Sequence, residues 1–129
     1  MQLEKETLIK YRISRANETI KEAESAFNNN FLFNAENRIY YAIFYIVSAL
    51  ALKHGFSTSK HHQLLGWFNK EFVKKGKISV ELSEIYRASF QNRKKGDYDD
   101  FVVFNFEDVK KHIEDMKIFI SEIQALINQ

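Results

Sequence analysis

The chain has 129 residues, 45% of them hydrophobic and 28% charged, and its 19 basic and 17 acidic side chains leave a formal net charge of +2. That length carries one domain with a real core and is too short for two ordinary ones, and the near-balanced charge neither requires nucleic acid nor opposes it. With no cysteine there is no disulfide frame, no cysteine-based zinc site and no thiol nucleophile.

The opening residues, "MQLEKETLIK", lack the apolar centre of a signal peptide. The longest apolar run, residues 39 to 52, contains Ser48 and suits a buried helix better than a membrane span. A soluble cytoplasmic protein with no membrane partner is therefore expected. Proline is absent, and Gly55, Gly76 and Gly96 fall about twenty residues apart, as punctuation between helices.

Residues 5 to 28 place Ile9, Ile13, Ala16, Ile20, Ala23 and Phe27 at spacings of three and four, which paints one apolar stripe on a helix. "NNNFLFN" interrupts it, and Asn34 is a good N-cap for a second helix that runs to about residue 54, with Gly55 just beyond its end. That helix is apolar on nearly every side, so it must be covered all round, by its own bundle or by a second subunit. Ser57, Thr58 and Ser59 offer caps for a third helix ending near Lys75, and Ser79 caps a fourth that stops at Gly96. "DYDDFVVFNF" has no helical period and reads as an ordered loop over the end of the bundle. Asn105 caps the last helix, whose stripe is Val109, Ile113, Met116, Ile120, Ile123 and Ile127. The expected fold is all-α, a single domain built as an up-and-down bundle of four to five helices, with the first and last flanking the second.

Several site chemistries fail on the residues themselves. A di-iron bundle needs Glu-x-x-His pairs, but Ala51, Thr58, Ser59 and Val109 stand three before the four histidines. There is no His-Glu-x-x-His, no glycine-rich phosphate loop and no Gly-x-Ser-x-Gly elbow. No metal site and no cofactor are expected. Two stretches remain. In "NRIYYA", Asn37, Arg38 and Tyr41 occupy one turn, with Asn37 and Tyr41 on one face; a surface arginine beside packed tyrosines accounts for them equally well. In "NRKKGDYDD", Lys94, Lys95 and Gly96 are what a helix end calls for. Helix ending alone does not explain why Asp97 and Tyr98 follow Arg93 so closely. His61 and His62 in "SKHHQ" are compatible with simple surface residues.

Taken together, these stretches resemble the HEPN domain family in its small stand-alone prokaryotic branch. That branch shows Asn-Arg-x-Tyr-Tyr-Ala, then a Lys-His pair seven residues before a Phe, then Phe-Val-Lys-x-Gly, then Arg-x-x-Gly-Asp-Tyr. The matching residues are Asn37, Arg38, Tyr40, Tyr41, His61, Phe68, Phe72, Val73, Lys74, Gly76, Arg93, Gly96, Asp97 and Tyr98. The resemblance spans residues 5 to 127. It implies a symmetric homodimer with a nucleotide- or phosphate-binding groove formed by Asn37, Arg38, Tyr41, His61, Arg93, Asp97 and Tyr98. It also implies a small nucleotidyltransferase as partner in a toxin-antitoxin-like system, and in some relatives that transferase modifies a tyrosine near the motif, here Tyr98.

Many relatives are metal-independent ribonucleases whose signature is an arginine, four to six residues, then a histidine. Arg12, Arg15, Arg38, Arg87 and Arg93 all lack that histidine. A general acid or base works best with a pKa near neutrality, which a histidine has and Tyr98 at the matching position ordinarily lacks. The sequence therefore favours a binding module over an enzyme. The alternatives are a ribonuclease in which folding brings His61 to Arg93, and a purely structural bundle whose charged motif is an ion-pair network.

Overall fold

The described residues fold into five α-helices. The computed structural model describes residues 2–129, with α1 at Gln2–Asn28, α2 at Leu32–Lys53, α3 at His61–Phe68, α4 at Val80–Tyr98 and α5 at Phe106–Ile127; a π-helical turn, Asn69–Val73, extends α3. Among these residues there is no strand, and no helix is long and apolar enough to cross a membrane.

Helix α2 is the axis of the bundle. Ile39, Tyr40, Ala42, Ile43, Ile46, Val47, Ala49 and Leu50 are all buried. Helix α1 lies close against it because its buried contacts are small: Ala16, Ala23 and Ala26. Helix α5 covers another side with Val109, Ile113, Met116, Phe119, Ile120 and Ile123. The remaining gap is filled by rings, with Phe68 of α3 5.3 Å from Tyr86 of α4 and 5.9 Å from Phe119 of α5. One subunit therefore covers most of α2, leaving Tyr41, Phe44 and Tyr45 partly buried and Phe33 exposed.

The predicted boundaries shift where backbone turns replace side-chain caps. Asn34 caps nothing, because α2 already starts at Leu32. Asn30 adopts a left-handed φ of 61°, and the Phe31 amide donates to Ala26 at 2.8 Å, so α1 closes in a tight motif that leads straight into α2. Gly55 closes α2 in the same way, at a φ of 81°, with Phe56 donating to Ala51. The hydroxyls before α3 do not cap it either: Thr58 Oγ1 accepts from the Lys60 amide at 3.1 Å, a turn one step too early, and Lys60 takes the cap position without a side-chain bond. The third helix is also not uniform to Lys75. It widens at Asn69–Val73, which lets Phe72 meet both Trp67 at 5.6 Å and Phe68 at 5.9 Å. Ser79 and Asn105 do cap as expected, accepting from Leu82 and from Glu107 and Asp108.

The most consequential shift is at Gly96, which does not end α4. A Cβ there would lie 3.3 Å from Phe104 and 3.4 Å from Phe33, so the glycine serves close packing of the next loop. The helix continues to Tyr98, and the chain turns instead at Phe101, with φ of 60°. Arg93 and Asp97 thus share a helical face, four residues apart.

One buried ionic contact ties α2 to α5. Glu36, 2% exposed, receives His112 Nδ1 at 2.9 and 3.1 Å. This bond raises the His112 pKa against the opposing pull of burial. A raised pKa means that the stabilisation is complete below the ordinary histidine value and fades as pH climbs through the raised one. Urea midpoints should therefore fall between pH 6 and pH 9. Glu36→Gln should cost about 1–3 kcal/mol at pH 6 and flatten that slope; an unchanged slope would remove His112 from the account.

Candidate functional site

Three elements converge on Tyr40. Helix α2 supplies the tyrosine, fully buried as a core residue. Helix α3 brings His61 at its first residue, and the Tyr40 hydroxyl lies 2.6 Å from His61 Nδ1. Helix α4 brings Arg93, whose guanidinium carbon stands 4.9 Å from the centre of the Tyr40 ring and 5.8 Å from that of Tyr41. The His61 ring also stacks on Phe44, 4.5 Å between centres. Aromatic faces attract the cation and hold it without neutralising it.

Arg93 is tightly held and only partly satisfied. Its side chain is 12% exposed, Nη1 donates to Asp97 at 3.3 Å, and Nε is buried with no hydrogen-bond partner. A buried donor of this kind is costly to leave unmade. The guanidinium fork therefore has capacity for a planar oxyanion, the ligand that its geometry suits best.

Electrostatics keep both Tyr40 and His61 uncharged. Burial drives the Tyr40 pKa far above its ordinary value, although Arg93 pulls it back. Burial also lowers the His61 pKa, and the positive charge of Arg93 lowers it further. At neutral pH the pair is thus an uncharged phenol and an uncharged imidazole. Where the phenol O–H donates to Nδ1, the ring proton resides on Nε2. In that tautomer His61 offers a donor to a ligand, and its lone pair is already engaged.

The other expected site residues are placed less directly. Arg38 donates through Nε and Nη2 to Asn37 Oδ1 at 3.0 and 2.8 Å and through Nη1 to Glu22 at 3.1 Å. Its guanidinium also covers Tyr41, 5.1 Å from the ring centre. Tyr41 is thus flanked by two cations, and it links Asn37 and Arg38 to Arg93 through ring contacts; the hydrogen bonds these residues make go to one another and to α1. Tyr98 is 73% exposed at the end of α4, outside the cluster's buried part. Tyr40 itself, absent from the expected groove, is the residue that joins the rest. Its signal lay in the sequence as a tyrosine in the middle of an apolar helix, because a buried phenol needs a partner. Among the described residues no group of His, Asp and Glu could hold a metal ion.

Against known families, the HEPN domain profile matches residues 9–126. The chain belongs to the HEPN domain family. A UPF0332 protein of Thermotoga maritima is 47% identical over 124 residues, covering 96% of this chain and 94% of its own length. A protein of Methanocaldococcus jannaschii named "Putative toxin" is 30% identical, covering 89% of this chain and 78% of its own. A second of the same name and organism is 34% identical, covering 67% and 64%. The HEPN assignment agrees with the all-helical bundle and with the order of the motifs around Tyr40.

The electrostatic reading of the site predicts a titration. His61 should titrate below an ordinary histidine by NMR, and Arg93→Gln should raise its pKa partway back, since burial remains. A His61 pKa that Arg93→Gln leaves unmoved would separate the two groups.

Proposed function

We propose that the chain is a HEPN binding module of a two-component, toxin-antitoxin-like system, acting in the cytoplasm as a homodimer and holding a nucleotide or RNA phosphate in the groove around Tyr40. The observation that carries this reading is Arg93: a guanidinium fixed over an aromatic floor, with a single long bond to Asp97. The names of the two Methanocaldococcus jannaschii relatives support the toxin-like class. Support for a dimer comes from apolar side chains left exposed at one end of the bundle, where Phe101 is 99% exposed, Val103 88% and Phe33 50%. The proposed partner is a small nucleotidyltransferase, and the exposed Tyr98 is the acceptor that it could reach. Its phenolic oxygen would attack the α-phosphorus of a nucleoside triphosphate, releasing pyrophosphate, with the phenolic proton passing to a base of the transferase.

A second reading, a metal-independent ribonuclease, draws on the convergence of His61 and Arg93 on one tyrosine. Its weakness is chemical. With Nδ1 occupied by the Tyr40 hydroxyl and the pKa depressed, His61 is neither a ready base nor an imidazolium acid at neutral pH. Loss of such help removes roughly 10²–10⁴ in rate.

The test uses purified protein and labelled single-stranded RNA in EDTA. Expected are binding that weakens with salt, at least tenfold weaker binding by Arg93→Ala, and intact RNA. Robust cleavage abolished by both Arg93→Ala and His61→Ala would instead establish the ribonuclease. Light scattering at tens of micromolar should give twice the chain mass; a monomer would refute the dimer.

A further inference from the structure

On the far side of Phe44 and His61 from Arg93 lies an open cleft of about 590 Å³ between α1, α2 and the loop before α3. Its lining includes Arg12 and Arg15 from α1, Tyr45 from α2, the hydroxyl residues 57–59 and His61, and no carboxylate. A volume of this size suits a small organic ligand.

The two arginines sit one turn apart on α1, each anchored to α2 by a single hydrogen bond. Arg12 Nη1 donates to the Ser48 carbonyl at 3.2 Å. Arg15 Nη2 donates to the Tyr45 hydroxyl at 3.3 Å, and its guanidinium lies 5.0 Å from the Tyr45 ring centre. The nearest acid, Glu18, is 3.7 Å from Arg15 and 60% exposed, a pairing worth little in water. Among the described residues Arg12 has no carboxylate partner. Burial lowers its pKa, which is the mark of a cation losing water without gaining a counter-charge. The exposed hydroxyls of Ser57 and Ser59 line the facing wall of the cleft.

We infer that this cleft binds the phosphate of a mononucleotide, with Arg12 and Arg15 as the phosphate ligands and the Tyr11, Phe44 and Tyr45 rings as the surface for the base. Two forked guanidinia whose one carboxylate neighbour, Glu18, is solvent-exposed and outside the cleft lining recognise a phosphate, and rings of this kind accept any base face. The inference rests on the nucleotide-binding reading above and adds a second phosphate seat, apart from the one at Arg93. Its failure is separable from the failure of that reading, because Arg93 takes no part in the cleft.

The experiment is a ¹H–¹⁵N titration of the full chain with AMP, inorganic phosphate and adenosine. AMP should shift the amides of residues 12, 15 and 57–59 saturably, phosphate should shift the same set more weakly, and adenosine should bind at least tenfold less tightly than AMP. Arg15→Gln, at a side chain 29% exposed and so safe for folding, should weaken AMP at least tenfold, as should Arg12→Gln if it remains folded. Lys111→Gln, at an exposed side chain of α5 paired with Asp115 and outside both sites, should leave AMP binding within about twofold. No shift at millimolar AMP, equal binding of adenosine, or AMP binding that survives Arg15→Gln and is lost in Arg93→Gln would each overturn the proposal.

Discussion

Everything in this molecule follows from having to cover α2 on all sides. A helix apolar around most of its circumference must be wrapped, and the wrapping elements come from every other part of the chain. Each brings a polar head to the surface of α2: Arg12 and Arg15 from α1, His61 from α3, Arg93 from α4 and His112 from α5. All are large basic side chains with an apolar or aromatic stem, able to lie along a hydrophobic helix while their nitrogens seek a partner. The partners on α2 are a carbonyl, two phenols, an aromatic face and one carboxylate. Only Glu36 neutralises its cation outright. The others remain charged or hydrogen-bond-hungry, and this is the physical origin of both proposed binding surfaces.

Tyr40 shows how the core and the site are one object. Its ring is core, packing 5.8 Å from Phe90 and 6.1 Å from Phe44. Its hydroxyl would be an unsatisfied buried group were His61 not 2.6 Å away. The same burial that holds the phenol neutral holds the imidazole neutral, so the pair is stiff and uncharged beside a permanently charged Arg93. Such a wall is preorganised to hold an anion and poorly placed to exchange protons with it.

Gly96 contributes by what it lacks. Because Phe33 and Phe104 press against its α-carbon, the loop folds back over α4 without ending it, and the extra turn keeps Arg93 and Asp97 in register. The left-handed strain is moved onward to Phe101, a bulky residue in a conformation that L side chains rarely adopt, displayed to solvent together with Val103.

The sequence by itself determined the helices and their order, because stripes at spacings of three and four and the caps at Ser79 and Asn105 are local signals that tertiary packing had no reason to override. Motif order also carried the family and most of the residues around Arg93. Three matters were decided only in the tertiary structure. Whether Gly96 ends a helix or admits two phenylalanines depends on Phe104 in the next loop and on Phe33, far away in the chain. Which tyrosine joins the site depends on α3 and α4 meeting at Tyr40, whereas its neighbour Tyr41 carries the same local signal. The pairing of Glu36 with His112, and the unpaired state of Arg12, are sums over everything nearby, since a charge is satisfied or stranded only by what folding brings against it.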